Sequence, residues 1–330
     1  RPLLINGYKF DLRVYVLVTC FDPLRCYIFE DGLTRFSTVP YRAASKTYRN
    51  RMMHLTNYSV NKNSSTFVQN EDFSQDDYGS KWSLKAFRRH IRAQGVDDNL
   101  LWNRIKDCLL KTLIAVEPKV NTKLKMDVPS RGNCYELLGF DIMIDDAYKP
   151  WMLEVNISPS LASSSPLDKS IKSVLITDMF NILMIRPYDR RKYLDKAEKK
   201  RMSRLQGQDG SGANGRVQSA AHTASTLDRF KVRNVLMNKG DSLENLSVED
   251  LEVILEFEEE KLRKGHYEVL YPTADGDQYF PFFETKRYYN YLLVDWLKHP
   301  EKWETVMVAD RLKAAKRAAT NGRATSLGHV

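Results

Sequence analysis

Between Cys134 and Pro159 the chain reads CYELLGFDIMIDDAYKPWMLEVNISP, with Asp141 on one apolar run and Glu154 and Asn156 on a second, a short polar turn apart. Glu154 and Asn156 are two residues apart, so on an extended strand both project to the same face. A buried strand that gives this face to a carboxylate and a carboxamide needs a partner that neutralises them. The three side chains offer hard oxygen ligands with no Cys or His among them, which suits Mg²⁺ holding phosphates better than Zn²⁺. Taken singly, each residue fits equally well a hairpin with a satisfied polar cluster.

Two further groups could join such a site. Around Phe10–Val18 (FDLRVYVLV), Lys9, Asp11 and Arg13 alternate with apolar residues and share one strand face, either solvated or turned to a ligand. His54–Lys62 (HLTNYSVNK) is a polar, turn-rich stretch whose side chains can bond backbone or phosphate oxygens. Together they describe a nucleotide-dependent ligase. A carboxylate is a poor electrophile because its oxygen leaves badly; phosphorylation makes a mixed anhydride that an amine attacks. The site then needs cations around the phosphoryl group and a pocket that orients the amine. No Ser-His-Asp or Cys-His constellation competes. Neither G-x-x-x-x-G-K-[ST] nor G-x-G-x-x-G occurs, which argues against P-loop and Rossmann nucleotide binding.

The elements that must hold these groups are legible in outline. Phe10–Val18 reads as a strand, Asp22-Pro23 as a turn, Cys26–Phe29 as its partner strand, and Asp31-Gly32 as a second turn. Residues 83–94 predict a basic helix and 99–116 an apolar-periodic one. Ser165-Pro166-Leu167-Asp168 opens a helix, with Ser165 as cap and Asp168 completing a capping box. Residues 248–263 predict an acidic amphipathic helix and 286–297 an aromatic one, separated by the turn-bearing HYEVLYPTADGDQYFPFF.

At 330 residues and 42% hydrophobic content, two units with a sizeable core are expected. The net charge of +9 calls for an acidic partner; nucleic acid, an anionic membrane and an acidic protein tail all satisfy charge alone. Cys20, Cys26, Cys108 and Cys134 form no CxxC pair and read as reduced cytosolic thiols, Cys134 facing the core. No apolar run is long enough to span a bilayer and nothing resembles a signal peptide. From Arg186 to Arg204 nine Lys or Arg stand against three Asp or Glu, a cationic excess, and residues 206–226 then read as linker.

PLLINGYKFDLRVYVLV, GLTRFST, HLTNYSVNK, DYGSKWS, CYELLGFDIMID and KPWMLEVNISPSLASSSPLDKSIK together resemble the tubulin tyrosine ligase-like family, within the ATP-grasp fold, and its polyglutamylase branch in particular. The resemblance covers about residues 1–185. It implies an α/β (α+β) fold: the C-terminal part of an ATP-grasp ligase core with an antiparallel sheet and packed helices, then a mostly helical basic extension. The expected division is 1–185 ligase core, 186–205 basic microtubule-binding segment, 206–226 linker, 227–312 helical region and 313–330 basic tail.

By the same resemblance Lys9, Asp11, Thr56 and Asn57 contact ATP, and the catalytic residues are Arg13, an arginine on the phosphate side, and Glu154. Asp141, Glu154 and Asn156 hold two Mg²⁺ ions, with Glu154 bridging them. Arg35, Tyr58, Ser59, Lys62 and Lys172 form the pocket for free L-glutamate, whose two carboxylates require cations. Family members carry an N-terminal domain and a first central segment before KFDLR, including a phosphate-gripping lysine and a glycine-rich loop. The chain opens on Arg1-Pro2 without them and is expected to be a piece of a longer enzyme, incomplete alone.

The implied reaction is ATP-dependent addition of glutamate, through an isopeptide bond, to glutamate side chains of the acidic tubulin tail. A glycine or tyrosine ligase, or a catalytically incomplete microtubule-binding protein, are the alternatives. Arg186–Arg204 and Arg311–Arg317 are expected to meet microtubules, including Arg190, Arg191, Lys199 and Lys200. The expected protein is a monomer of cytoplasm and cytoskeleton, on microtubules, cilium axoneme or basal body, with no nucleic-acid or membrane partner.

Overall fold

The computed structural model describes residues 1–128, 134–185 and 248–300, together with 198 and 202. Apart from 198 and 202, the basic segment, the linker and the tail anticipated above lie outside them. Two units divide the chain, and the first comprises Arg1–Leu183 with Val253–Val294. Of the second, Met184–Glu252 with Asp295–Val330, the described residues are mainly the first turn of one helix and the last turn of another.

Alternating β-branched and aromatic residues make two long strands, β2 (Tyr8–Phe21) and β3 (Leu24–Phe36), paired antiparallel across the Asp22-Pro23 turn after a short β1 (Leu4–Ile5). Strand β3 runs through Asp31-Gly32, which corrects the turn expected there. Gly32 lies opposite Val14, and a Cβ on it would collide with the Arg13 carbonyl oxygen. This glycine lets two backbones approach; it does not reverse the chain.

Around this pair the sheet assembles in the order β4-β3-β2-β5-β6, where β4 is Lys81–Ser83, β5 Glu136–Ile144 and β6 Pro150–Asn156. Helices α3 (Leu84–Ala93) and α4 (Asp98–Asp127) cover one face, after the short α1 (Arg51–His54) and α2 (Tyr58–Asn61). Phe87, Ile91, Ile105 and Leu109 pack there on Leu12, Val14, Phe140 and Ile142. The other face meets α5 (Pro166–Leu183) through Leu167, Ile171, Leu175 and Met179, against Tyr15, Leu17, Tyr27 and Leu33. Ser83 caps α3 by accepting from the Ala86 N–H. Helix α4 outruns the apolar repeat by about three turns.

Three other expectations change. Strand β6 is not buried: it is the sheet edge, and Trp151, Met152 and Leu153 are 47%, 39% and 51% exposed. An apolar run does not reveal whether a neighbour strand exists to cover it. Cys134 is exposed, not in the core. The turn-bearing aromatic stretch contains a strand, β7 (Tyr267–Tyr271), between α6 (Val248–Leu262) and α7 (Tyr288–Lys298), and β7 pairs with β3.

The segment carrying β7 is fastened to the sheet by polar contacts. Buried Arg25 donates to Glu256 at 2.9 Å and lies 3.2 Å from Glu260, while Glu260 accepts from Thr19 at 3.0 Å and from the Tyr27 hydroxyl at 2.8 Å. The Asn290 side chain accepts from the Leu24 N–H at 2.7 Å. Among the described residues no helix is long and apolar enough to cross a membrane.

Candidate active site

Cross-strand register lines up one charged row on the α5 face. Arg35 of β3 stands opposite Lys81 of β4 on one side and Asp11 of β2 on the other. Arg13, two residues along β2, stands opposite Asp141 of β5, and Asp141 stands opposite Glu154 of β6. Directly paired residues on adjacent strands project to the same side, so this row spans five strands.

Its centre is largely buried and its charges are paired. Arg13 Nε donates to Asp141 Oδ1 at 2.5 Å and Nη2 to Oδ2 at 3.1 Å. Arg35 Nη2 reaches Asp141 Oδ2 at 2.8 Å, while its Nε donates to Asp11 at 2.8 Å and Nη2 bonds the same carboxylate. Asp141 and Asp11 are both buried. Burial pushes the Asp141 carboxyl upward, but the two guanidinium groups outweigh it and hold it below the usual carboxylate range. Burial opposes the charge on Arg35, and its bonds to Asp11 and Asp141 raise it above the ordinary arginine value nonetheless.

Strand β6 supplies the open end. Glu154 is exposed and meets no cation among the described residues; its Oε1 accepts from Asn156 Nδ2 at 3.3 Å. Asn156 Nδ2 also donates to the Gly139 carbonyl at 3.1 Å, and no described residue uses the Asn156 side-chain oxygen. The β5–β6 register shifts by one residue after the Asp141–Glu154 pair, a bulge of the kind that re-aims side chains. Gly139 brings the following loop onto the sheet, since a Cβ there would lie 2.7 Å from Pro159 and 3.2 Å from the Arg13 side chain.

The far end is a lysine pair on one carboxylate. Lys81 Nζ donates to Asp168 Oδ2 and to Ser164 Oγ, each at 2.7 Å, and lies 4.2 Å from the centre of the Tyr58 ring. Lys172 donates to the Ala162 carbonyl at 2.5 Å and lies 3.8 Å from Asp168 Oδ1. Burial pulls Lys172 below the ordinary lysine range, partly countered by Asp168. Asp168 does not complete the expected capping box: Ser165 Oγ accepts from its N–H, but its carboxylate turns to Ser164 and Lys81.

The remaining predicted residues lie beside these groups. Lys9 Nζ donates to the His54 carbonyl at 2.8 Å, and burial lowers its pKa. Thr56 is buried and Asn57 exposed, at the turn into α2, where the Asn57 carbonyl accepts from the Val60 and Asn61 N–H groups. Ser59 and Lys62 are exposed, and Lys62 Nζ is 6.0 Å from the Tyr58 ring centre. Arg35, Tyr58 and Lys172 are therefore held in the fold, whereas Ser59 and Lys62 stand at its surface.

Three side chains were not assigned to the site from sequence. Lys81 and Asp168 complete the lysine end; Lys81 of SKW gains its place only from register with Arg35. Tyr15 is fully buried, its hydroxyl has no hydrogen-bond acceptor among the described residues, and the charges of Arg13, Asp168 and Arg35 all act on it. It is thus within electrostatic reach of both the paired centre and the lysine end.

Oxygen donors suited to Mg²⁺ are present. Among the described residues no group of three or more His, Cys, Asp and Glu gathers, so the set depends on the Asn156 side-chain carbonyl as its third member. Glu154, without a cation partner among the described residues, and Asn156 are available, and Asp141 would exchange an arginine contact for the ion. When bound, Mg²⁺ supplies positive charge at phosphate oxygens.

A mixed α/β sheet presenting this row beside a loop-anchored lysine is the arrangement of an ATP-grasp-like ligase. The model of the tubulin-tyrosine ligase family matches residues 1–192, and the chain belongs to that family. Relatives include tubulin monoglutamylase TTLL4 of Homo sapiens, 40% identical over 300 residues, covering 90% of this chain and 25% of the relative. Tubulin polyglutamylase TTLL5 of Mus musculus is 40% identical over 300 residues, covering 89% of this chain and 22% of its own length. Tubulin polyglutamylase TTLL7 of Xenopus tropicalis is 37% identical over 281 residues, with 83% and 30% covered. The chain thus spans between about a fifth and a third of the length of these relatives.

Proposed function

We propose that the protein of which this chain is part is an ATP-dependent ligase that joins free L-glutamate to glutamate side chains of the acidic tubulin tail. The observation that carries the reading is the charged row from Lys81 to Glu154. It offers carboxylate and amide oxygens at one end, guanidinium groups in the middle and two buried lysines at the other, in the order that phosphate, acyl phosphate and amino-acid carboxylate would need.

In this reading Lys9, Asp11, Thr56 and Asn57 contact ATP. Asp141, Glu154 and Asn156 would hold Mg²⁺, two ions in this reading, which would supply positive charge at the phosphate oxygens. Arg13 balances charge on the transferred phosphoryl group as the acceptor carboxylate becomes an acyl phosphate. The amine of free glutamate then attacks the acyl carbon, forming the amide and releasing phosphate. Arg35, Tyr58, Ser59, Lys62 and Lys172 hold that glutamate, whose side-chain carboxylate needs a second cation that glycine or tyrosine would not. Relatives named for tubulin glutamylation support this choice of substrate. We place the protein as a monomer on cytoskeletal microtubules, including those of cilia, with the segment 186–205 meeting the acidic lattice.

The test is to supply full-length protein with microtubules, ATP and separately radiolabelled Glu, Gly or Tyr. Incorporation of glutamate alone is expected. Incorporation of glycine or tyrosine in its place would replace the reading, and no incorporation of any would leave a microtubule-binding protein.

A further inference from the structure

From Gly32 to Asn70 the chain contains six Lys or Arg and no Asp or Glu. Two of the six, Arg35 and Lys62, belong to the site above. The other four, Arg42, Lys46, Arg49 and Arg51, all lie in the loop that leaves β3 and returns to Thr56. Each is exposed, and none makes an ion pair with any described residue. In a protein where most buried and half-buried arginines find a carboxylate, four free cations within ten residues form an uncompensated positive surface.

The loop is also ordered. The Tyr41 N–H donates to the Gly7 carbonyl at 2.9 Å, and the Thr38 and Val39 N–H groups donate to the Met52 carbonyl at 3.1 and 3.2 Å. His54 is the post around which it folds: Tyr41 and Tyr48 set their rings edge-on to it at 5.5 and 6.0 Å, and its Nε2 lies 3.0 Å from the Thr47 carbonyl. The carbonyl of the same His54 holds Lys9. Tyr48 is 72% exposed beside the cations, giving the surface an aromatic anchor as well as charge.

We propose that Arg42, Lys46, Arg49 and Arg51, with Tyr48, form a docking surface for an acidic peptide, which they hold beside the ligase site. The proposal rests on the ligase reading for its choice of partner: a reaction whose acceptor is a carboxylate within an acidic stretch benefits from a cationic strip leading to it. Arginine forks suit carboxylates in pairs, and an extended peptide can set alternate side chains against cations spaced a few residues apart. Because the loop is tied through His54 to Lys9, peptide on the loop and nucleotide at Lys9 would share one ordered element.

The test uses full-length protein and a fluorescein-labelled glutamate-rich peptide, with its glutamine counterpart as control. Wild-type protein is expected to bind the acidic peptide and not the control. The variant carrying Arg42→Gln, Lys46→Gln, Arg49→Gln and Arg51→Gln should bind about tenfold more weakly at low salt, a difference that shrinks as salt rises. The matching variant with Lys at all four positions should retain binding. In ligation assays the acceptor KM should rise while the KM values for ATP and free glutamate stay in place.

Equal affinity of wild type and the glutamine variant would overturn the proposal. So would an equal rise in the KM for ATP, which would mark a loop that only supports Lys9, or tighter binding of an RNA oligomer of equal charge. If the wild type ligates nothing yet holds the peptide through these four side chains, the surface stands and the ligase reading falls.

Discussion

Asp141 and Glu154 face each other directly across the β5–β6 ladder, and only Asp141 is neutralised, by Arg13 and Arg35. One carboxylate is therefore tied into the fold, and the other is exposed without a cation among the described residues.

Substitution should separate the two. Glu154→Gln is expected to abolish glutamate incorporation while changing stability by less than about 0.5 kcal/mol, because an exposed carboxylate without a described cation partner is removed. Asp141→Asn leaves Arg13 and Arg35 short of a buried charge and should lower stability by about 3 kcal/mol as well as stopping the reaction. Thermal melts beside radiolabel incorporation read both effects; equal losses of stability would contradict the assignment.

The lysine end predicts a pH dependence. Burial lowers the Lys172 pKa, so on raising the pH its ammonium loses its proton before an exposed lysine would. The KM for free glutamate should then climb on the alkaline side at a pH below the ordinary lysine range. Lys172→Arg keeps its charge and should push that limb upward, at some expense in fit. Lys81→Met should raise the same KM and leave the KM for ATP alone, since Lys81 contacts Tyr58 and Asp168, neither of which is assigned to ATP.

Gly32 has no room for a side chain. Gly32→Ala should cost about 1–3 kcal/mol, as the new methyl forces β3 away from the Arg13 carbonyl. The turnover number should fall more than the stability suggests, because displacement of Arg13 by about 1 Å can lose two orders of magnitude in rate. Circular dichroism with steady-state kinetics would distinguish this from simple unfolding.

Much of this arrangement was legible, for stated reasons. The helices starting at Leu84, Pro166 and Val248 have caps or apolar repeats that act locally, and Glu154 and Asn156 of β6 could be placed on one face from spacing alone. What escaped was decided by distant partners. Asp31-Gly32 has the composition of a turn, but the glycine is required by the backbone of β2. Lys81 gains its place from register with Arg35, which no local pattern encodes. Strand β7 hides in an aromatic stretch because its pairing partner lies far earlier in the chain, at residues 26–29. The exposure of Trp151 to Leu153 depends on whether anything flanks β6, and hydropathy is silent on that.

The same distant pairing predicts a boundary. The family match ends at residue 192, yet Arg25 and Tyr27 bond Glu256 and Glu260 of α6. Protein ending at residue 192 should be largely insoluble, and protein ending at residue 300 should not. Within the longer protein, Glu260→Leu strands the Thr19 and Tyr27 hydroxyls and weakens the hold on Arg25. A loss of about 3 kcal/mol, or about 8 °C in Tm, is expected.

The edge strand β6 has a consequence for how the protein behaves in a tube. Its outer backbone groups are unpaired by any described strand, and Trp151 and Leu153 flank them. Such an edge is a template on which a second molecule can add a strand of its own. Concentrated solutions of this chain by itself should therefore thicken into oligomers by growth from this side, and Leu153→Lys should keep them clear without touching the Glu154 carboxylate.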